Sequence, residues 1–382
     1  MSLNITNYII ITKMKKIICF VSMLSQPRCI KRILSLHYAG YNVIVYGHDR
    51  GLYNINMFPS SIEVHNLGFA KNGSGYLLKF LKNWKLLIRI LNEYDKNSII
   101  VYAFSFDFAL ISSILKFKYI YEISDLIYGY FKCKTLMNIF RLIDIYICKK
   151  SIFTVITSEG FKKYLFRNKN NKKIILQKNK VDYSLKNILR FSLNLKYRTS
   201  LRFAYVGAFR YPNTVFRFAE VIGREFPKHE FYFYGESNLT NLVIKLSNKY
   251  PNIYYFGPFK NPDELEEIYK NIDIIAACYD VSSFNERVAE PNKLYEAICF
   301  CKPIIVSKNT YLADKVKTMG VGYSIDASKD ETIIEFVSQL SINQLNIISM
   351  NEYKMDSNEY IDNSENIISN IENLCFTKSK IY

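Results

Sequence analysis

The sequence predicts an α/β protein made of two Rossmann-like domains. Two observations lead to this fold class. Short apolar runs alternate with amphipathic helical segments along the chain, which is typical of parallel sheets covered by helices. The chain also has 382 residues, 49% of them hydrophobic and 22% charged, which is a globular composition long enough for two domains.

The first half contains a series of predicted strands and helices that ends in a basic, irregular stretch around one short strand. Apolar runs of strand length cover residues 16–22, 42–46, 61–66, 98–102, 119–123 and 153–157. Apolar residues with helical spacing cover 27–38, 76–94, 108–115, 136–149 and 160–166. We interpret the segment up to residue 199 as the interdomain linker, so the first domain is predicted to span 14–198.

A second alternating series begins at Leu201. Its predicted strands cover 201–207, 229–235, 252–259, 273–279, 304–306 and 321–326. Its predicted helices cover 215–226, 239–249, 261–272 and the stretch after Glu290. The second domain is predicted to span 199–355, followed by a helical tail, 356–382, that packs back on the first domain.

The stretch Glu290–Ser307 starts with charged residues and then becomes apolar. Proline is favoured at the first helical position, so a short helix is predicted from Pro291, with Glu290 at the positive end of its dipole. Lys293 and Glu296, three residues apart, share one face, while another face is apolar at Leu294, Ala297, Ile298 and Cys301. This end of the helix either binds phosphate, with Glu296 accepting from sugar hydroxyls, or carries an exposed Lys–Glu pair.

Three predicted strands of the second half end in glycine, at Gly207, Gly235 and Gly257. Open parallel sheets bind ligands beyond the carboxyl ends of their strands, and glycine there lets the backbone approach a ligand closely. Beside a helix N-terminus with a lysine and a glutamate, the three glycines predict a nucleotide-phosphate site.

The net charge of +17 is unevenly distributed. The first 200 residues hold 32 Lys+Arg against 10 Asp+Glu, whereas the remainder holds 19 against 24. The first half therefore favours an anionic partner, which is a membrane surface, a nucleic acid or a phosphorylated substrate. The helix 76–94 fits the first of these, because Leu77, Leu81, Trp84, Ile88 and Leu91 form an apolar stripe beside Lys79, Lys82, Lys85 and Arg89. It equally fits a helix packed on its sheet with a solvated basic face.

Eight cysteines without CxxC spacing favour a reducing, cytoplasmic setting, and four histidines without metal-ligand spacing disfavour a histidine metal site. No DxD pair occurs either, and no metal is predicted. The run from Met14 to Leu24 resembles a signal peptide, but no small-residue cleavage site follows. We interpret it as the first strand, preceded by an unstructured lead, so that the natural start is expected at Met14.

The order of motifs resembles GT-B glycosyltransferases, especially the family-4 retaining group that builds bacterial surface polysaccharides. In the second half, the segments that match motifs of this family are "VGAF", "FYFYG", "FGPFKNPDELEEIYKNIDI", "PNKLYE" and "EAICFCKPIIV". More loosely, the first half contributes "SQPRCIKRILSLHYAGYNVIVYG", "YEISDL", "TVITSEGFKKYL" and "KNKVD". The resemblance implies two domains facing across a cleft and transfer of a hexose-type sugar from a nucleoside-diphosphate sugar, with no other cofactor.

The resemblance also implies site residues. Lys293 and Arg210 would hold the diphosphate, Glu296 the ribose, and Pro258 with Phe259 the base; the donor set also includes Gly207, Gly235, Gly257, Glu290, Pro291 and Asn292. Asp125 and His48, each after a predicted strand, are the candidates for catalysis in the first half, together with Arg210 and Lys293. Ser25, Arg28 and Asp125 would contact a saccharide or polyprenyl-diphosphate-linked acceptor, with peripheral contact to an anionic membrane and no nucleic acid.

Three positions depart from the family pattern. The family's paired glutamates lie eight residues apart, but Val288 precedes Glu296 by eight, so Glu290 or Glu286 is expected to stand in. Cys301 replaces the glycine that usually ends the helix, so a different turn is expected there. Arg210 follows the first glycine, but the family's nearby lysine is missing.

Other functions fit parts of the sequence. A basic nucleic-acid-binding protein would explain the charge of the first half but not the acidic second half. A GT-B sugar-nucleotide epimerase would need acid–base carboxylates and no acceptor, and an inactive relative would explain the departures.

Overall fold

The computed structural model describes residues 16–49, 58–69, 76–167, 171–195 and 198–375. Within these ranges the strands form a seven-stranded and a six-stranded parallel sheet, with helices in the connections. The predicted α/β fold class is therefore confirmed. The facing of the two sheets across a cleft stays a prediction, and the expected start at Met14 lies outside the described residues.

The first sheet contains β1 (Lys16–Val21), β2 (Asn42–Asp49), β3 (Glu63–Phe69), β4 (Ile99–Ala103), β5 (Tyr119–Ile123), β6 (Thr154–Ile156) and β7 (Ile174–Leu176). Its strand order is β3-β2-β1-β4-β5-β6-β7. The helices between these strands are α1 (Pro27–Tyr38), α2 (Tyr76–Asn92), α3 (Phe106–Ile114), α4 (Lys134–Lys150) and α5 (Glu159–Phe166).

The second sheet contains β8 (Arg202–Val206), β9 (Glu230–Tyr234), β10 (Ile253–Gly257), β11 (Ile274–Ala277), β12 (Ile304–Ser307) and β13 (Gly322–Ile325). Its strand order is β10-β9-β8-β11-β12-β13. Its connecting helices are α6 (Arg217–Glu225), α7 (Thr240–Lys249), α8 (Leu265–Lys270), α9 (Phe284–Val288), α10 (Asn292–Phe300) and α11 (Tyr311–Met319). The helices after β13 are α12 (Asp330–Ser338), α13 (Ile342–Tyr353), α14 (Ser357–Tyr360) and α15 (Glu365–Cys375).

The central strands are buried along their whole length, as the apolar runs predict. Every residue of β4, β5, β11 and β12 is buried, because helical connections cover both faces of a parallel sheet. The strand order of the second sheet reverses between β8 and β11. Ligands of open α/β sheets bind at such a reversal, beyond the carboxyl ends of the strands.

The structure differs from the sequence prediction in several elements, of which those near the candidate site matter most. β2 continues to Asp49, so His48 lies inside a strand instead of following one. Pro291 is the residue before α10 and has extended backbone angles, so the helix begins at Asn292. Helices α9 and α11 were not predicted, because α9 has five residues and α11 interrupts its apolar positions with charged ones.

Helix α10 is buried on every side, from Lys293 to Phe300. Its C-terminal end is closed by Arg190, which donates to the carbonyls of Ile298 at 2.8 Å and Cys299 at 3.0 Å. Arg190 also donates to the carbonyls of Glu352 at 2.6 Å, Tyr353 at 3.1 Å and Met355 at 3.2 Å. A cation at this end complements the negative pole of the helix dipole.

Cys301 ends α10 with φ 54° and ψ 48°, the left-handed conformation that glycine usually adopts at this position. The expectation of a different turn is therefore wrong: the turn is the usual one, and cysteine takes it. The Ser349 hydroxyl donates to the Cys301 carbonyl at 2.7 Å, which helps to hold this conformation.

Cys301→Val is expected to lower the free energy of unfolding by about 1–3 kcal/mol, because a β-branched residue strains a left-handed position. Cys299→Val is the matched control, since Cys299 is equally buried but helical. Urea denaturation of both variants measures the difference. Equal losses of unfolding free energy would show that the left-handed backbone at residue 301 does not disfavour valine.

Lys302 follows Cys301 and is 8% exposed. Burial lowers the pKa of Lys302 to about 8. Between about pH 8 and 10.5 the unfolded chain therefore binds more protons at this residue, so its contribution makes folding more favourable as the pH rises.

Lys302→Met is expected to abolish this contribution. The unfolding free energy of the wild type should rise relative to Lys302→Met by up to about 3 kcal/mol between pH 8 and pH 10. Urea denaturation of both proteins across this pH range tests the sign of the effect. If the unfolding free energies of the two proteins changed in parallel with pH, the prediction would be contradicted.

The chain divides into two compact units. The first contains the described residues of Met1–Glu122, Ile147–Phe153 and Ile368–Tyr382, and the second those of Ile123–Tyr146 and Thr154–Ile367. The predicted boundaries after residues 198 and 355, and the packing of the tail, stay predictions. Helices α14 and α15 lie within the predicted tail.

Candidate functional site

The three predicted glycines lie side by side at the ends of neighbouring strands. The Gly207 amide donates to the Tyr234 carbonyl at 2.8 Å, and the Gly235 amide donates to the Gly257 carbonyl at 2.7 Å. Gly207 and Gly235 have φ of 131° and 132°, which a residue with a side chain rarely adopts. A Cβ at Gly235 would lie 2.1 Å from the Gly207 carbonyl oxygen, so the two turns touch through their backbones.

The Lys293 side chain lies against the first of these turns. A Cβ built on Gly207 would lie 3.3 Å from Lys293 Cε and 3.7 Å from Nζ. The structure therefore brings together the glycine after β8 and the lysine of α10, which are 86 positions apart in the sequence. The first amides of α10, those of Asn292 and Lys293, have no acceptor within the helix. Pro291 and Asn292 are half-buried, so this end of the helix is partly accessible.

Glu296 is the centre of a buried polar cluster. Its Oε2 accepts from Lys293 Nζ at 2.6 Å and from the Tyr269 hydroxyl at 2.5 Å, and its Oε1 accepts from Asn292 Nδ2 at 2.6 Å. Burial, and next the Glu296 carboxylate, raise the pKa of the Tyr269 phenol well above its usual range, so this hydroxyl donates at neutral pH.

The reading of Lys293 and Glu296 as an exposed pair is wrong, because their side chains are 8% and 2% exposed. The carboxylate instead fixes the lysine beneath the Gly207 turn. A carboxylate oxygen has more than one lone pair, so Oε1 can accept a second donor. The role of Glu296 in binding a ribose stays a prediction.

Glu290 lies in a different ion pair. Its Oε1 is 2.5 Å from Lys315 Nζ, and Lys315 also donates to the Tyr295 hydroxyl at 3.3 Å. Burial raises the pKa of Glu290, although Lys315 opposes the shift. Its Oε2 is buried without a hydrogen-bond partner among the described residues.

Asp125 follows β5, as predicted, and its exposed side chain is held by Asn285 of α9. Asn285 Nδ2 donates to Asp125 Oδ1 and to the Tyr130 hydroxyl, both at 2.8 Å. Asn285 Oδ1 accepts from the Leu126 amide at 2.9 Å. Asn285 is 3% exposed, so a fixed amide orients an accessible carboxylate.

Two further charged residues lie near Asp125. Burial raises the pKa of Glu286, and the Asp125 carboxylate adds to this shift while the Arg210 guanidinium opposes it. Glu286 Oε2 is buried without a hydrogen-bond partner in the described part of the chain. Arg210 is exposed, three residues after Gly207. A region that holds Asp125, Glu286 and Arg210 can take up a polar ligand that carries both charge and hydroxyl groups.

Pro258 and Phe259 follow Gly257 at the end of β10. Pro258 is exposed, whereas Phe259 is half-buried against the core of the second unit. A Cβ at Gly257 would meet no atom within 4 Å, so the backbone there is open to a ligand.

The remaining predicted residues, Ser25, Arg28 and His48, belong to the first unit. Ser25 is 4% exposed. Arg28 Nε lies 3.3 Å from Oε1 of Glu122, a fully buried carboxylate that also accepts from the Tyr102 hydroxyl at 2.7 Å. Arg28 Nη2 is buried and finds no hydrogen-bond partner in the described ranges.

His48 is 3% exposed, so it is not a polar loop residue. Its Nε2 lies 3.0 Å from Asn83 Oδ1, and its Nδ1 lies 3.3 Å from the Gly68 carbonyl oxygen. Asn83 Nδ2 in turn donates to Asp107 Oδ2 at 3.0 Å. His48 therefore ends a buried polar chain, and its catalytic role stays a prediction.

Four site residues were missed: Tyr269, Asn285, Lys315 and Tyr130. Sequence motifs do not reveal these residues, because each of them acts through a contact with a residue far away in the sequence. Asn285 was detectable in part, as a polar residue beside the expected site of the first family glutamate.

Among the described residues no three His, Cys, Asp or Glu side chains are grouped as metal ligands would be. No helix in the described ranges combines the length and apolar content needed to cross a membrane. The absence of a metal and the cytoplasmic setting stay predictions.

No protein-family model matches the sequence, and a search of curated proteins finds no match. Solved structures match over most of the chain. Sucrose-phosphate synthase from Thermosynechococcus elongatus superimposes with a TM-score of 0.68 at 12% identity, over 94% of this chain and 98% of that one. A glycosyltransferase from Rickettsia africae gives 0.66 at 15%, over 96% and 100%. Anabaena Alr3699/HepE in complex with UDP-glucose gives 0.65 at 11%, over 95% and 99%.

At these identities the likeness shows the fold. The chain has the GT-B fold, as the resemblance implied. Membership of the family-4 retaining group stays a prediction.

Glu296→Ala is expected to lower the free energy of unfolding by about 3–5 kcal/mol, because it leaves the buried Lys293 ammonium without its carboxylate. Tyr269→Phe removes one donor to the same oxygen and should cost about 1–3 kcal/mol. Urea denaturation of both variants tests this order. A smaller loss in Glu296→Ala would mean that the carboxylate does not organise the cluster.

Proposed function

We propose that the chain is a glycosyltransferase. It would move a hexose-type sugar from a nucleoside-diphosphate sugar to a saccharide or polyprenyl-diphosphate-linked acceptor, with retention of configuration, in bacterial surface polysaccharide synthesis at the cytoplasmic face of the membrane. The contact between Lys293 and the Gly207 turn, at the N-terminus of α10, supports this function more than any other observation.

The donor site follows from this contact. When the sugar is transferred, the leaving diphosphate gains negative charge, and preorganised donors aimed at that charge lower the barrier. Lys293 Nζ is held beneath the Gly207 turn by Glu296, so its charge needs no rearrangement during the reaction. The amides of Asn292 and Lys293 add the positive end of the helix dipole. In Alr3699/HepE, a protein with the same fold, UDP-glucose is bound in the crystal.

Asp125 of the second unit is proposed to contact the acceptor, and Arg28 of the first unit is proposed separately as a donor to it. Asp125 is exposed and oriented by Asn285, so it can accept a hydrogen bond from an acceptor hydroxyl. Arg28 Nη2 has no hydrogen-bond partner among the described residues and can donate to an anionic group such as a diphosphate. A retaining transfer needs no strong general base, and an exposed carboxylate that positions the acceptor is sufficient.

Thermal shift with uridine, guanosine and cytidine diphosphate sugars tests the proposed function. One nucleotide class is expected to raise the Tm of the wild type, because a ligand that binds the folded state stabilises it. Lys293→Met should weaken that ligand by at least about tenfold, since it removes a charge-assisted contact to phosphate.

Lys302→Met is the matched control, because Lys302 is comparably buried but lies at the opposite end of α10. It should keep the wild-type shift when each variant is compared with its own ligand-free Tm. The proposal fails if no nucleotide sugar shifts the wild type, or if Lys293→Met responds as the wild type does.

A sugar-nucleotide epimerase of GT-B fold is a second candidate, favoured by the Asp125 and Glu286 carboxylates near one another. An epimerase would convert its donor without an acceptor. Incubation of the stabilising sugar nucleotide with the protein alone, followed by chromatography, distinguishes the two. Conversion that is lost in Asp125→Asn would favour the epimerase.

A further inference from the structure

Helix α4 presents an apolar face to solvent. Leu136, Ile139, Leu142 and Tyr146 are 41%, 50%, 66% and 53% exposed. Their spacing of three, three and four residues places all four side chains on one side of the helix. Soluble proteins rarely leave several large apolar side chains together on one surface unless that surface binds something.

The opposite side of α4 is bonded to neighbouring residues, which fixes the orientation of the helix about its own axis. Asp144 is 1% exposed and accepts from the Tyr128 hydroxyl at 2.8 Å. Arg141 Nη2 donates to the Tyr164 carbonyl at 2.7 Å. Packing therefore turns the acidic residue inward and the apolar face outward, the reverse of an ordinary surface helix.

Lysines flank the apolar face at both ends. Lys132 and Lys134 stand at the start of α4, Lys149 and Lys150 end it, and all four are exposed. Between Lys132 and Lys150 the sequence contains a single acidic residue, the buried Asp144. The face thus combines an apolar centre with positive ends and no exposed negative charge.

We infer that α4 is a membrane-docking helix that lies on an anionic lipid surface. The 17 residues form a rod about 25 Å long, which suits a position parallel to the bilayer with the apolar side chains between headgroups and acyl chains. The flanking lysines contact anionic headgroups, and Tyr146 lies at the depth that aromatic side chains prefer.

Charge argues against a second copy of the chain as the occupant. A two-fold interface pairs a surface with itself. Because both ends of α4 are positive, parallel and antiparallel pairing alike would place lysines against lysines.

Helix α2 was one candidate for membrane contact from its sequence. Of the described residues in its predicted stripe, Leu81 is 49% exposed, Trp84 and Ile88 are half-buried and Leu91 is buried. This part of the stripe therefore turns partly inward, and the docking surface is assigned to α4.

This inference rests on the proposed function only for the nature of the acceptor, because a lipid-linked acceptor would be met at the surface that α4 contacts. The donor site plays no part in it. Vesicle binding and nucleotide binding are therefore measured separately on the same protein.

Flotation of the full chain with vesicles tests the docking helix. The wild type is expected to float with vesicles of equal parts phosphatidylglycerol and phosphatidylcholine, and not with phosphatidylcholine alone. Ile139→Ser combined with Leu142→Ser, and separately Lys149→Glu combined with Lys150→Glu, should each weaken binding by at least about tenfold. Ile347→Ser, at a residue of α13 that is 61% exposed, is the matched control and should bind as the wild type does.

Three results would overturn the inference. The wild type could fail to float with the anionic vesicles, or the Ile139/Leu142 variant could float as well as the wild type. Gel filtration could instead show a dimer that this variant dissociates, which would make a second copy the occupant. A nucleotide-dependent Tm shift that is unchanged in the α4 variants confirms that they are folded. Vesicle binding by a wild type that no nucleotide stabilises would support the docking helix and contradict the proposed function.

Discussion

The buried carboxylate of Glu296 is the constraint on which the candidate site depends. A carboxylate at 2% exposure is costly unless its oxygens are hydrogen-bonded, and here they accept from Lys293, Tyr269 and Asn292. These contacts join α8 to α10 and place the lysine against the turn after β8. A charge that would otherwise be a cost of folding thus becomes the means by which a cation is held in one position.

A second set of contacts acts in the same way around Asp125. The amide of Asn285, itself buried, connects a carboxylate, a hydroxyl and a backbone amide from the segment Asp125–Tyr130, about 160 positions earlier in the chain. The short helix that carries Asn285 packs so closely there that a Cβ on Gly129 would lie 3.3 Å from Asn285 Cβ. Both sets use a buried polar group to fix a charged side chain, which is a common arrangement for binding sites.

Local pattern was sufficient for much of the fold and for part of the site. The bounds of α1 and β5 match their predictions residue for residue, because apolar spacing and flanking turn residues are encoded locally. Lys293 and Gly207 could also be selected, since helix N-termini and strand ends are recognisable. Burial could not be predicted from local pattern. The sequence allowed the Lys293–Glu296 pair to be either a binding site or an exposed pair, and the contact of Tyr269 with this pair depends on packing alone. His48 was misplaced because β2 runs three residues further than its apolar run, and the turn at Cys301 because glycine was assumed to be required.

The clamp that Arg190 makes across the ends of α10 and α13 has a consequence for the order in which the protein matures during synthesis. Three of the five carbonyls that hold its guanidinium belong to Glu352, Tyr353 and Met355. A nascent chain emerging from the ribosome cannot complete this clamp until it has been translated as far as Met355. Helix α10 would thus be finished late, after both sheets have been made, and a message truncated shortly before codon 352 would yield chains that lack this closure.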